Sequence, residues 1–435
     1  MTPRSLLSGP LASLLRCSTV LVAVFALAGA GHAATTDAVK CNAAKLKLAG
    51  KYAGCTMKAE ATSLVKETPL DLSACRQKYD AACAGIEARY GTACPTPGDC
   101  TSNRDAAQCA SDALPAGGSS GPVTVDVMDG VPVYFLSGDN RRTVDVGATF
   151  PAIDQSYSQV MLHFALRCPA GGCDAWDRRG SVSIVQDPGG AEVPIELSRF
   201  VTPFGIGASW DVDVTDLRPV LAGSRTVRVT IDTWVGPGSP YGDGWLVDVS
   251  FTLTPGTPAR RAIAALPVFP RQDAVYGDPA RSIPSQVVPA AVAVPVGATS
   301  LALRSFVTGN GQGNAESCAE FCSRDHTLTV EGTPTMRMIW RTDCATTAAP
   351  GQSGTYQYSR AGWCPGAAVN DWTFDVPLPG DGTLNVGYDV SAYENTCRPD
   401  APVCTGCTLG AGCAYDGGAH TEPFFDVSTV LIAYE

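Results

Sequence analysis

Histidine is scarce in this chain, and long apolar runs are missing. The 435 residues include only four histidines. Copper monooxygenases built on paired jelly rolls need several His and a Met as ligands, so that class is excluded by count. No nucleophile elbow stands between a strand and a helix, which removes the common Ser-His-Asp hydrolase pattern. Phosphate-binding loops and dinucleotide fingerprints are absent as well. Beyond the first 30 residues no stretch approaches the ~18 uninterrupted apolar residues of a membrane-spanning helix. Charged residues make up only 17%, and the net charge of −11 with a pI near 4.9 argues against nucleic acid or anionic membranes as partners.

Glycine, proline and cysteine are what the chain has in plenty: 45 Gly, 32 Pro and 18 Cys, with 45% hydrophobic residues. This composition predicts a loop-rich, strand-rich globular protein of several domains. At the N-terminus, Arg4 and Arg16 precede the apolar run Val20 to Ala30, which ends in Gly31-His32-Ala33. Residues 1–33 therefore read as a Sec-type signal peptide, and the protein is expected to be secreted or periplasmic. Cys17 would leave with that peptide, leaving 17 cysteines for an oxidising compartment. An odd number implies a free thiol or a link between chains.

Residues 34–114 differ from the rest. Cys41, Leu48 and Cys55 recur at heptad spacing with Tyr52 on the same face, and Cys75, Tyr79, Cys83, Ile86 and Tyr90 follow at three- and four-residue intervals. The pattern predicts a helical hairpin stapled by disulfides, with Asp71 and Ser73 at the second helix start. A spacer or attachment role suits so small a module better than catalysis. Residues 115–122, Pro-Ala-Gly-Gly-Ser-Ser-Gly-Pro, read as a flexible linker. Beyond it, Val123–Val127, Ser181–Val185, Thr226–Ile231 and Leu246–Leu253 read as strands. After Thr254-Pro-Gly-Thr-Pro258 the habit resumes at Gln286–Val296, Ser300–Val307, His326–Val330, Leu384–Val390 and Val427–Ala433. Two antiparallel β-sandwiches of jelly-roll type are expected, at 123–258 and 259–435, with a cysteine-rich insertion at 394–420.

Two short motifs carry the chemistry. In Cys168-Pro-Ala-Gly-Gly-Cys173-Asp174-Ala-Trp176-Asp177-Arg178 a small disulfide loop can precede a carboxylate flanked by Trp and Arg. In Cys318-Ala-Glu320-Phe321-Cys322 a carboxylate lies inside such a loop. Hydrolysing an amide needs a group that activates water or holds the bond and a donor for the leaving nitrogen, and two carboxylates in different environments can divide those roles. The plain alternatives are a strand-end Asp177–Arg178 ion pair and a solvated loop Glu320.

The Cys168–Arg178 segment resembles that of the bacterial peptide-N-glycosidase F family, whose pattern is Cys-x4-Cys-Asp-x-Trp-Asp-Arg. Further matching blocks follow in order: Arg199-Phe-Val-Thr-Pro-Phe, Asp213-Val-Thr-Asp-Leu, Asp232-Thr-Trp234, Cys318 through Thr327, and Arg360-Ala-Gly-Trp-Cys-Pro-Gly366. The resemblance spans roughly 123–435. It implies two side-by-side eight-stranded jelly rolls with the site in the cleft between them. It also implies an amidase that cuts between asparagine and the first N-acetylglucosamine of N-glycosylated peptides and proteins. By position it makes Asp177 the principal catalytic carboxylate, Glu320 a second and Asp232 a third, with Arg178, Trp234, Arg360 and Trp363 lining the cleft. It further implies the Cys344–Cys364 pairing. No cofactor or metal, and a monomer, are expected.

The chain departs from the family pattern in three places. Asp232 stands where Glu is usual, Phe321 replaces a Trp, and Asn310 stands where a cleft Trp would follow Val-Thr-Gly. These changes favour a rival reading, a weak or inactive glycan-binding protein on the same scaffold. Trp234 and Trp363 also read as core aromatics, Trp363 packing on a disulfide beside Cys364. Cys397, Cys404, Cys407 and Cys413 read as two disulfides rather than a zinc site.

Overall fold

The computed structural model describes residues 36–66, 68, 70–94, 98–104, 107, 121–186, 188–313, 317–398, 414–415, 418–419 and 421–435. The expected signal peptide, most of the 115–122 linker, Cys109 and most of the 394–420 insertion lie outside the described residues. The chain forms two compact units, 1–120 and 121–435.

In the first unit, helix α1 (Asp37–Lys66) packs on helix α2 (Ser73–Tyr90). The Asp71 carboxylate accepts the Ser73 N–H at 2.8 Å where α2 begins. The core is small: Tyr52, Cys75, Tyr79 and Cys83, with the two tyrosines edge to face at 5.2 Å. Cys41–Cys94, Cys55–Cys75 and Cys83–Cys100 cross-link it. So few apolar residues leave disulfides to constrain the unfolded chain.

The second unit contains two sandwiches. The first has strands β1 (Val123–Val133), β2 (Thr143–Phe150), β3 (Tyr157–Arg167), β4 (Arg179–Gln186), β5 (Val193–Val201), β6 (Ala208–Asp213), β7 (Gly223–Ile231) and β8 (Trp245–Pro255). The second has β9 (Ala262–Val275), β10 (Ala290–Ala293), β11 (Ser300–Asn310), β12 (Arg324–Val330) and β13 (Thr333–Ile339). A short β14 (Ala367–Ala368) follows, then β15 (Trp372–Val376), β16 (Thr383–Val390) and β17 (Phe424–Tyr434). The sheet orders are β1-β8-β3-β6 and β14-β5-β4-β7-β2 in the first sandwich, and β9-β17-β11-β15 and β10-β16-β12-β13 in the second. Strand β14 crosses over and pairs with β5 of the first sandwich.

Burial explains why the sandwiches lie side by side. Strands β11 and β17 are buried at every position after their first. Leu301, Leu303, Leu431 and Ala433 face the second core, while Ala302, Val430, Ile432 and Tyr434 face the first. Near-continuous apolar runs are what a strand covered on both faces requires. The polar part of the same interface is a buried ion network. Asp426 is fully buried and meets Arg271 at 2.6 Å and Arg179 and Arg199 at 3.2 Å. Their guanidinium charges outweigh its burial and hold its carboxyl well below the ordinary range.

One strand expectation needs correction. Within Gln286–Val296, Gln286 ends a helical turn (Ile283–Gln286) and only Ala290–Ala293 is strand. Pro284 is the second residue of that turn, and Pro289 and Pro295 flank the strand; proline removes ladder donors.

Candidate active site

After β3, the Cys168–Cys173 disulfide closes a tight loop, with Cα atoms 4.4 Å apart. The loop is docked on the 236–244 turn: Asp243 N–H donates to Gly172 O at 2.9 Å and Ala175 N–H to Tyr241 O at 3.0 Å. Gly242 permits this approach, since its φ is +107° and a Cβ there would lie 2.0 Å from Cys173 O. Just past the ring sits Asp174, fully buried, which had not been singled out from the sequence as a site residue. Its carboxylate accepts from Trp176 N–H at 3.0 Å, Arg178 Nε at 2.8 Å and Thr233 Oγ1 at 2.6 Å. Thr202 fixes the other side, its Oγ1 accepting Arg178 N–H at 2.8 Å. Asp177 is thus held between two pinned neighbours. Burial pushes its carboxyl up, against Arg360 and Arg178 and with Asp174 adding to the rise.

The second sandwich supplies Glu320. The Cys318–Cys322 disulfide closes around it, Glu320 N–H donates to Gly311 O at 3.0 Å, and its own carbonyl accepts Ala361 N–H at 2.9 Å. Gly309 makes room, because a Cβ there would lie 2.3 Å from Ala319 O. The Glu320 side chain is 15% exposed and accepts Arg360 Nε at 3.2 Å. Burial, then the Asp177 charge, push its carboxyl up to about 7, opposed by Arg360 and a hydrogen bond from Gln312. Arg360 is fully buried, donates to Thr355 O, Thr355 Oγ1 and Tyr358 O, and lies over the rings of Trp363 at 4.7 Å and Phe321 at 5.0 Å.

Asp177, Arg178, Glu320 and Arg360 therefore come together. The remaining expected residues sit otherwise. Asp232 lines a neighbouring cleft of about 530 Å³ with Arg142, Arg179, Arg271 and Asp273, a cleft that neither Asp177 nor Glu320 lines. Its contacts to Arg142 and Arg179 are loose, 3.4 and 3.5 Å. Trp234 is 57% exposed at that rim, with the Arg142 guanidinium 4.5 Å from its ring. Trp363 is only 3% exposed and donates its indole N–H to Gly309 O at 2.7 Å, so it backs Arg360 rather than facing solvent. Asn310 is buried and bonds to Thr308 O, which turns it away from the role of a cleft ring. An exposed pair, Trp176 and Tyr241 with centroids 6.3 Å apart, borders Asp177. Tyr241 carried no signal in the sequence beyond its Gly-rich turn.

Cys344–Cys364 forms, as do the two short rings. Cys397 is held in a disulfide, which removes it as a zinc thiolate; Cys404, Cys407 and Cys413 lie outside the described residues. The carboxylate–cysteine groups at Cys83–Glu87–Cys100 and Asp343–Cys344–Cys364 use sulfurs already spent in disulfides.

A double jelly roll whose halves each present a loop-held carboxylate to one buried guanidinium defines a class of β-sandwich hydrolase scaffold. Residues 187–241 match the family described as "Peptide-N-glycosidase F, N terminal", and 280–400 match "Peptide-N-glycosidase F, C terminal". The chain is 27% identical over 260 residues to peptide-N(4)-(N-acetyl-beta-D-glucosaminyl)asparagine amidase F of Elizabethkingia miricola, covering 57% of this chain and 71% of that one. Among solved structures, a peptide-N(4)-(N-acetyl-beta-D-glucosaminyl) asparagine amidase superposes with a TM-score of 0.60 at 23% identity, covering 72% of this chain and 96% of the other. PNGase F of Flavobacterium meningosepticum gives 0.57 at 23% identity with 73% and 96% coverage. PNGF-II gives 0.54 at 18% identity, with 72% and 65% covered. These matches make the chain similar to the peptide-N-glycosidase F family over both sandwiches and support an enzyme of that type.

Proposed function

We propose that the protein is an exported amidase that hydrolyses the bond between an asparagine side chain and the first N-acetylglucosamine of N-glycans on peptides or proteins. Water oxygen adds to the side-chain carbonyl carbon, the C–N bond breaks, and aspartate and a glycosylamine leave. Asp177 holds and activates the water. Glu320, whose carboxyl is about half protonated near pH 7, gives its proton to the departing nitrogen. Arg360 balances the two carboxylates, and Arg178, fixed by Asp174, flanks the reacting bond. Asp232 and Trp234 serve the sugar from the adjoining cleft, and Trp363 stiffens Arg360. The observation that supports this reading is the convergence of Asp177 and Glu320, from different sandwiches, on the Arg360 charge. The six disulfides among the described residues suit an exported protein, and no helix there is long and apolar enough to cross a membrane.

The test is incubation with a defined N-glycopeptide in oxygen-18 water, followed by mass spectrometry of the peptide. Labelled aspartate with intact glycan released is expected. An unchanged glycopeptide from folded protein, at acidic and neutral pH and across several glycan types, would replace this reading with glycan binding on the same scaffold.

A further inference from the structure

The outer face of α1 is built unlike the rest of the acidic chain. The helix carries six lysines and two carboxylates, Asp37 and Glu60, with no acid between them. Lys45 is turned inward to pair with Glu87 at 2.7 Å and with Asp99. Lys40, Lys47, Lys51 and Lys58 are all exposed. Their separations of seven, four and seven residues put them within about 20° of one line, about 27 Å long at 1.5 Å per residue.

A second line runs beside it. Val39, Leu46 and Met57 are 52%, 61% and 40% exposed and lie on one row, separated by seven and eleven residues. That row is about 100° around the helix from the lysines. Between the rows lie Ala43, Gly50 and Gly54, all exposed. Among the described residues no atom lies within 4 Å of a Cβ built at Gly50 or Gly54, so the strip between the rows is open there. The disulfides at Cys41 and Cys55, with Tyr52 and Lys45, occupy the inner face, and on the outer rows Lys40 pairs locally with Asp37 at 3.0 Å.

We infer that this face of α1 docks on an anionic phospholipid surface, lying flat with the apolar row in the acyl boundary and the lysine row among phosphates. A helix with an apolar strip bordered by lysines has this interfacial pattern, and each lysine near an anionic leaflet adds attraction that salt screens. The apolar row selects lipid over a soluble polyanion, which would use the lysines alone. The whole-chain charge of −11 conceals the feature, because it averages a basic helix into an acidic remainder. The module would thus tether the enzyme without spanning the bilayer.

The test is cosedimentation of the chain from Ala34 onward, both units present, with equimolar phosphatidylglycerol–phosphatidylcholine vesicles or with phosphatidylcholine alone. Partitioning onto the anionic vesicles at least about tenfold stronger than onto neutral ones is expected, and it should vanish in high salt. K47E/K51E/K58E should abolish it, and Leu46→Ser with Met57→Ser should weaken it several-fold, with helix content unchanged by circular dichroism. Equal pelleting with both vesicles, or with neither, would overturn the inference. So would unaltered binding in the lysine variant. If the serine variant binds like the parent and both bind heparin equally, the face is a polyanion site and the lipid assignment is wrong.

Discussion

The two cysteine loops that hold the candidate carboxylates solve one problem in different ways. Glu320 lies inside its ring, so covalent closure at Cys318–Cys322 fixes the backbone around it, and a buried guanidinium takes its side chain. Asp177 lies four residues beyond Cys173, outside its ring, and depends on hydrogen bonds relayed through Asp174 and Thr202. The ring at 168–173 therefore places Asp174, and Asp174 places the segment bearing Asp177. Both acids are pushed up by burial, and Glu320 is pushed further by the charge of Asp177. A pair whose environments differ in this way can split acid and base duties.

The comparison breaks most sharply at Asp177. Asp177→Asn is expected to cut kcat/KM by about three orders of magnitude, a typical loss for an acid–base group, with no fall in melting temperature; a variant of parental activity would remove Asp177 from the chemistry. Asp174→Asn tests the relay. It should lower kcat by about ten- to a hundredfold through misplacement of the loop. Because the Asp174 charge helps raise the Asp177 carboxyl, its loss should also move the corresponding limb of the pH profile to lower pH. A fall in rate with no movement of that limb would reduce Asp174 to a structural prop.

Glu320 can be tested through stability. Its carboxyl titrates near 7 in the fold against an ordinary 4.5, so between those values the folded protein keeps a proton that the unfolded chain has released. Stability contributed by the protonated group is fully present below the unfolded value and is lost as pH rises through 7. Glu320→Gln should be more stable than the parent at pH 8, by on the order of 3 kcal/mol, and no different at pH 4; equal denaturation midpoints at pH 8 would contradict the buried environment. The smallest expected effect belongs to Gln312→Leu. Removing a hydrogen bond that favours the charged carboxylate should move the Glu320 limb to higher pH.

Much of this was readable in advance, for identifiable reasons. Cysteine spacing marked both loops, because rings this short leave few other geometries. The strand runs Ser300–Val307 and Val427–Ala433 were legible because β11 and β17 are buried on both faces. Strands such as β2 and β6 alternate between half-buried and exposed residues, and gave a weaker pattern. Asp174 was hidden in plain view: burial, not identity, makes it a hub, and burial is a property of the folded contacts. Asp232 and Trp234 read as one piece with the site, yet in the fold Asp232 lines a cleft with Arg179, the residue after Arg178, and Trp234 packs on Arg142 of the same cleft. Trp363 read both as a lining residue and as a core aromatic beside Cys364, and its ring is enclosed behind Arg360.

The most direct measurement is the pH dependence of kcat on a defined N-glycopeptide for the parent and for Glu320→Gln, with enough variant enzyme to follow a thousandfold slower reaction. Proton donation by Glu320 predicts a limb near pH 7 in the parent that is absent from the variant. The same limb, unmoved in the variant, would contradict the division of labour between Asp177 and Glu320.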